Sequence, residues 1–431
     1  MSRLLMLHYR FPPTQVVSSK RLAHVYLSAQ PHFEEIFVLT SREYNELPHD
    51  PQLEISPQHL EVVSHIDLRS LRRIVVSGDK QATVDTRAKR SAFGRQLLQL
   101  RKTWPFFYLF DDGGRNYVRK MLKRAKNIIQ AENITHLFTS YGPYADHWIA
   151  AQLKVAFPHL CWIADFRDPL HNQAPFKPLW PRKQERVNRK ILEKANVITA
   201  VSKGVAETLS PYHSNVELLY NGMGPMNEHP LVNLTAGFTM HYTGSLYGRW
   251  EAIRLFLQCL KQIIVKNPGN KLDLQFCYYG PDHHACRELI QREKAVEFCQ
   301  IHETIGMKDS LSLQASSHIN LLLSWSHPEQ KGILSAKLFE YLSAQRPIFA
   351  IIDGPSDPEM THWVEQIGNG RCLFMEEQRP EMICRELSEF ITEVHTGQWQ
   401  GVRTMPKEAF WSYQADKLWN TVRNSESGSK T

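Results

Sequence analysis

Short apolar runs alternate with amphipathic stretches along most of the chain, a pattern that predicts parallel α/β architecture. Leu4 to His8 reads as a first strand, Lys20 to Ala29 as a helix and Glu35 to Thr40 as a second strand. The rhythm resumes with strands at His136 to Thr139 and Cys161 to Ala164, separated by a helix over Ala145 to Ala156. A helix over Arg186 to Ala195, a strand at Val197 to Val201 and a strand at Val216 to Tyr220 close this first half.

The stretch 226–236 has Pro230 and little periodicity, and it reads as a linker. A second alternation opens at Phe238 to Thr243 and continues through Leu272 to Tyr278, Phe298 to Ile301, Ile319 to Leu323 and Pro347 to Ile352. The expected architecture is two successive Rossmann-like parallel sheets facing a central cleft, with ligands at the carboxyl ends of the strands. Residues 1–225 form the first domain and 237–409 the second. A helix over 410–424 presents Trp411, Leu418, Trp419 and Val422 near one face, and the polar residues 425–431 read as a disordered tail.

Composition narrows the class. A chain of 431 residues is long enough for two cores, and 42% hydrophobic with 22% charged residues is ordinary for a globular protein. The apolar run at the N-terminus is too short for a signal-peptide core, and no 18-residue apolar stretch occurs anywhere. Seven cysteines without a C-x-x-C pair read as buried thiols, which implies a reducing, cytoplasmic compartment. Charge is uneven: residues 69–126 hold 16 Lys or Arg against 4 Asp or Glu. Aromatics at 104–110 lie beside this basic zone, which suits an anionic membrane surface or a solvated helix face around a buried aromatic core. No nucleic-acid reader module accompanies it.

The most informative unit runs from the apolar strand at 319–323 through Gly332 to a helix starting near Ser335. On that helix Leu338, Tyr341 and Leu342 share an apolar face, while Lys337 and Glu340 lie three apart on another. A lysine in a first helical turn opposes the macrodipole. It makes better sense if an anion such as a diphosphate sits over the helix start, with Gly332 allowing close backbone approach and Glu340 accepting from sugar hydroxyls. The plainer reading is an exposed Lys–Glu pair worth about 0.3–0.5 kcal/mol. A related device begins the second half: the strand ending at Thr243 runs into Gly244 and Ser245, then Arg249 and a helical run from Trp250. It reads as a phosphate cradle or as a plain tight turn. None of the twenty histidines falls in a zinc-ligand spacing, and no metal site is expected.

Taken together, these segments resemble glycosyltransferase family 4 and its relatives of the GT-B fold. The resemblance rests on His8-Tyr9-Arg10-Phe11-Pro12-Pro13 with Arg21, and on Ser140-Tyr141-Gly142-Pro143 through His147. It continues through Trp162 to Pro169, similar to a subgroup with an Asp-Phe-Arg-Asp-Pro motif, through Ala195 to Ser202, and through Leu218 to Gly222. Its most specific part is Lys337-Leu338-Phe339-Glu340-Tyr341 with Arg346-Pro347. The resemblance implies retaining transfer from a nucleotide-diphosphate sugar to a glycan or lipid-linked acceptor, with no cofactor or metal required. It assigns the departing diphosphate to Arg249 and Lys337, the donor to Gly244, Ser245, Gly332, Ile333, Leu334 and Glu340, and the acceptor side to Pro13, Arg21, His147 and Asp165.

Two departures from the family pattern stand out. A Glu is expected at position 332, where this chain has glycine, and Glu329 is the nearest stand-in. The loop after the first C-terminal strand usually carries an Arg and a Lys, whereas Ser245 and Arg249 stand here. Asp165 also has a structural reading, as part of an ion-pair network with Arg167 and Asp168, and His147 one as a packed core histidine. Competing functions are a nucleotide-sugar epimerase or hydrolase on the same scaffold, and a degraded binding subunit of a glycan-assembly complex.

Overall fold

A computed structural model describes residues 2–14, 17–42, 55–65, 100, 103, 105–106, 114–170, 178–224, 233–266 and 273–427. The chain divides into two compact units, Met1–Tyr220 with Ser412–Thr431, and Asn221–Trp411. Of the expected linker, residues 226–232 lie outside the described residues, as do positions 69–99 of the basic zone and most of its aromatic run.

In the N-terminal unit β1 (Arg3–His8) leads to α1 (Val17–Ala29), β2 (Glu35–Ser41) and β3 (His59–Val63). After α2 (Gly114–Ala131) come β4 (His136–Ser140), α3 (Tyr144–Ala156), β5 (Cys161–Phe166) and α4 (Pro181–Leu192). The unit closes with β6 (Val197–Ala200), α5 (Lys203–Leu209) and β7 (Val216–Leu218). The sheet order is β3-β2-β1-β4-β5-β6-β7, with every pairing parallel. Strands covered on both faces are continuously apolar, and their two-residue period sorts side chains between layers. In β1, Leu5 and Leu7 enter a core with Tyr117, Met121 and Ile149, while Leu4 and Met6 enter an opposite core with Tyr26 and Trp419.

The C-terminal unit runs β8 (Phe238–Thr243), α6 (Trp250–Lys266), β9 (Leu274–Tyr279), α7 (His283–Arg292), β10 (Cys299–His302), α8 (Met307–Ser316), β11 (Ile319–Trp325), α9 (Ala336–Ser343) and β12 (Ile348–Asp353). It ends with α10 (Pro358–Thr361), continued by a π-turn over His362–Ile367, then β13 (Arg371–Phe374) and α11 (Pro380–His395). The parallel order is β10-β9-β8-β11-β12-β13. The final helix α12 (Trp411–Ser427) belongs from Ser412 onward to the first unit, where Ala415, Leu418, Trp419 and Val422 cover β1 and β2. It remains helical to Ser427, three residues beyond the predicted end.

Two further differences have physical causes. β3 escaped the hydrophobic pattern because its apolar Leu60 and Val62 are its exposed residues, 45% and 49%, on an edge strand. Nor are all seven cysteines thiols: Cys259 on α6 and Cys384 on α11 form a disulfide. Their pairing depends on two helices packed across 125 residues of sequence, a proximity that spacing cannot reveal. The other five lie outside the disulfide, four of them buried.

Candidate functional site

In each sheet the order reverses beside the first strand of the unit, between β1 and β4 and between β8 and β11. Such switch points leave a crevice at the strands' carboxyl ends. The sequence-predicted residues divide between these two places.

At the C-terminal switch point β8 ends in Thr243, and Gly244 turns the chain with φ +102°. A Cβ at Gly244 would lie 2.8 Å from Cε of Lys337, so glycine here makes room for the lysine stem. Lys337 stands in the first turn of α9, after the N-cap residue Ser335, whose side chain makes no capping bond. Its ammonium donates to the Tyr242 hydroxyl at 2.7 Å and to the Ser245 carbonyl at 2.8 Å, and it sits 4.3 Å from the Tyr242 ring centroid. The Tyr242 hydroxyl in turn donates to the Ser245 carbonyl at 2.7 Å. Burial, above all, raises the Tyr242 pKa well beyond the ordinary phenol range, so this hydroxyl keeps its proton. The cation is thus tied to the turn after β8, which compensates for its unfavourable place on the helix dipole.

An acidic residue that spacing did not single out clamps the same turn. The Asp282 carboxylate accepts from the Ser245 hydroxyl at 2.8 Å and the Leu246 amide at 2.7 Å. Arg249 lies beyond the turn with its guanidinium 5.4 Å from the Trp325 ring, so it projects from β8 toward the end of β11. Glu340, three residues on from Lys337, accepts from the Gln314 side-chain amide at 3.2 Å, and that amide also donates to Thr243 at 2.8 Å. Lys337 and Glu340 are both half-buried, the first tied to the turn after β8 and the second to Gln314.

Gly332 explains one departure from the family pattern. Its φ is +71°, a region unfavourable to a glutamate, and its amide donates to the Asp357 carboxylate at 2.6 Å. Asp357 also caps α10 through the amides of Glu359 and Met360. The loop through Ile333 and Leu334 is therefore anchored from below, with Leu334 buried and Ile333 half-buried, while Glu329 is exposed.

The N-terminal switch point is built around a buried ion pair. Arg21 from α1 and Asp165 from β5 form a buried bidentate pair, with donor–acceptor distances of 3.0 and 2.6 Å. Asp165 also accepts from the hydroxyls of Ser140 and Thr199, both at 2.7 Å. Desolvation alone would raise its pKa, but Arg21 and these hydroxyls outweigh it and hold the carboxyl below its usual range. Arg21 further donates to the carbonyls of Leu219 and Tyr220. His147 is buried, with Nδ1 2.8 Å from the Thr139 hydroxyl and its ring against Phe166. Burial lowers its pKa to about 3, so it is neutral across the physiological range. Pro13 lies in the half-buried loop after Phe11. Arg21, Asp165 and His147 are thus joined to internal partners at the ends of β4 and β5.

Among the described residues, no group of three or more His, Cys, Asp or Glu side chains is placed to hold a metal ion, and no helix is long and apolar enough to cross a membrane.

No protein-family model matches the chain, and no curated protein matches it. Solved structures do. The lipopolysaccharide outer core galactosyltransferase WaaB matches with a TM-score of 0.54 at 9% identity over 100% of both chains. The α,α-trehalose 6-phosphate synthase of Burkholderia multivorans matches with a TM-score of 0.58 at 10% identity over 100% of both chains. The UDP-GlcNAc 2-epimerase of Neisseria meningitidis, solved with UDP-GlcNAc, matches at 0.52 and 10% identity over 98% of this chain and 100% of that one. The two parallel Rossmann-like units are therefore those of the GT-B fold, shared by glycosyltransferases and related nucleotide-sugar enzymes.

Proposed function

We propose that the protein is a retaining, metal-independent glycosyltransferase that moves a sugar from a nucleotide-diphosphate sugar to a glycan or lipid-linked acceptor. The observation that carries this reading is Lys337, whose ammonium is wedged against the Gly244–Ser245 turn at the C-terminal switch point. A diphosphate there meets a fixed cation in the first turn of α9, with Arg249 at the next strand end. As the glycosidic bond breaks, negative charge grows on the leaving diphosphate. A charge already in place stabilises it without reorganisation and supplies what a divalent cation provides in other enzymes. Glu340, an acceptor-only group when ionised, takes hydrogen bonds from the ribose hydroxyls. Gly244, Ser245, Gly332, Ile333 and Leu334 shape the donor site, and the N-terminal unit, with Pro13 near its rim, holds the acceptor. Arg21, Asp165 and His147 support that side by fixing the strand ends.

Isothermal titration with UDP and a nucleotide-sugar panel tests the donor assignment. Lys337→Ala is expected to weaken diphosphate binding roughly ten- to hundredfold, the value of a lost charged hydrogen bond. Glu340→Ala is expected to weaken binding of the nucleoside part while leaving inorganic diphosphate binding unchanged. Wild-type affinity and turnover in both variants would refute the assignment. A second reading, epimerase or hydrolase action, is favoured by the equally similar UDP-GlcNAc 2-epimerase. Consumption of donor without any acceptor would select it.

The basic zone fits a peripheral position on an anionic membrane surface, because α2 presents Arg115, Arg119, Lys120 and Lys123 as exposed side chains. The cytoplasmic expectation loses its support in reduced cysteines, since Cys259 and Cys384 form a disulfide. Cosedimentation with anionic liposomes at low salt is the expected result, and absence of pelleting would remove the membrane from the proposal.

A further inference from the structure

The N-terminal switch point holds a small pocket that none of the predicted acceptor residues lines. His8 at the end of β1, Arg10, Ser18 in the first turn of α1, Ser140 at the end of β4, Gly142 and Arg167 surround it.

Three features give it the chemistry of an oxyanion site. Arg167 is aimed by its own backbone neighbours: Nε donates to the Tyr141 carbonyl at 2.7 Å and Nη2 to the Gly142 carbonyl at 2.9 Å. The remaining N–H donors of its fork are not used by these two bonds. Gly142, with φ +99°, permits this pose, since a Cβ there would fall 2.3 Å from Nη2. His8 is 1% exposed, and its Nε2 has no hydrogen-bond partner among the described residues. An unpartnered polar atom of a residue lining the pocket can serve a ligand group there. The first-turn amides of α1 beside Ser18 have no intrahelical acceptor and add positive potential.

Charge balance points the same way. Two arginines line the pocket against one carboxylate, Asp146, whose oxygens accept from the Tyr9 amide at 3.0 Å and the Tyr117 hydroxyl at 2.6 Å, while Asp168, outside the lining, offsets part of the Arg167 charge. Nearby Asp165 is matched by Arg21. The net positive lining, the serine hydroxyls and the helix start together suit a tetrahedral oxyanion better than a neutral sugar.

We propose that this pocket binds a phosphoryl group on the acceptor, with Arg167 and Arg10 supplying the charge and His8 a hydrogen bond, so that the acceptor is a phosphorylated molecule. The inference rests on the glycosyltransferase reading for the word acceptor, but the pocket's affinity can be measured without it.

The test is titration of the full-length protein with inorganic phosphate, a hexose phosphate, a short-chain polyprenyl phosphate and the corresponding neutral hexose, with UDP in parallel. Saturable one-site binding of the phosphorylated probes is expected, with the neutral hexose far weaker. Arg167→Gln should lower phosphate affinity roughly ten- to hundredfold, and UDP affinity should be unchanged. Arg10→Glu, at a half-buried rim position, should do the same and provides the answer if Arg167→Gln fails to fold. A preference between the hexose and polyprenyl compounds identifies a soluble or a lipid-linked acceptor. The proposal is overturned if no phosphorylated probe binds, if the neutral hexose binds equally well, or if a folded variant retains wild-type phosphate affinity. Phosphate binding without UDP binding would leave the pocket standing and remove the donor reading instead.

Discussion

The two units solve the same topological problem with opposite electrostatics. At the C-terminal switch point a lysine donates to two neutral groups, a phenol and a carbonyl. At the N-terminal one an arginine is spent on a buried carboxylate, and two flanking histidines are kept neutral by burial. The first arrangement holds a cation at the turn where the donor site is proposed. The second consumes charge to lock strand ends, and it leaves ligand binding to side chains farther out, Arg10 and Arg167. Covered faces differ in parallel. β1 is apolar toward both layers, whereas β8 turns Phe238, Met240 and Tyr242 to its core and Thr239, His241 and Thr243 to a polar layer that includes Gln314. The end of β8 thus has a hydrogen-bonded support beneath it, and the end of β5 has an ion pair.

The sharpest way to break this contrast is Arg21→Met. It leaves Asp165 buried without its cation, which costs about 3–5 kcal/mol. Urea unfolding should show that loss, and hydrogen exchange should place it in the N-terminal sheet while the C-terminal sheet stays protected. Retained stability would mean that the pair is not what locks β5 to α1.

A smaller effect belongs to the other unit. The Cys259–Cys384 disulfide closes a loop of 125 residues in sequence separation, and such a cross-link contributes about 2–4 kcal/mol through the unfolded chain. Reduction, or Cys384→Ala, should lower protection across the C-terminal unit and leave the N-terminal sheet unchanged. Equal stability of oxidised and reduced protein would show that packing of the two helices is sufficient.

Acid sharpens the comparison further. His8 and His147 have folded pKa values of about 3 against an ordinary 6.5, both chiefly through burial. A histidine lowered on folding stabilises the native state above its unfolded pKa, and that contribution is lost as pH falls from about 6.5 toward 3. Each is expected to remove on the order of 2 kcal/mol by pH 5. Asp165 adds in the same direction only below its ordinary carboxylate pKa, since its folded value is lower still. Amide exchange at pH 5 and pH 7 should therefore show earlier loosening of the N-terminal sheet, and equal loosening of the two sheets would contradict the assignment.

Much of this was legible in advance, for a local reason. Parallel strands buried on both faces must be apolar runs, so β1, β2, β4, β5, β8, β11 and β12 stand out in the sequence. The helix of Lys337 was legible from the spacing of Leu338, Tyr341 and Leu342, and its lysine drew notice by opposing the dipole preference. What escaped was carried by exceptions to pattern or by distance. β3 exposes its apolar residues. β13 is a short strand that follows an irregular π-turn. Asp282 looks like any loop acid until it meets the Ser245 turn, 37 residues away.

By itself, then, the sequence determined two parallel α/β units, the glycine-bearing turns after β8 and before α9, and the presence of Lys337 and Glu340 on one short helix. Those properties follow from hydrophobic period and from the few residues able to occupy a given backbone state. Only the tertiary structure decided which polar groups are committed to internal partners. Arg21 and Asp165 lie 144 residues apart and cancel each other, whereas Arg167 is turned to a pocket by two carbonyls in a loop 25 and 26 residues before it. Whether a charged group is spent or available depends on what the fold brings within hydrogen-bonding reach, and sequence spacing carries no information about that.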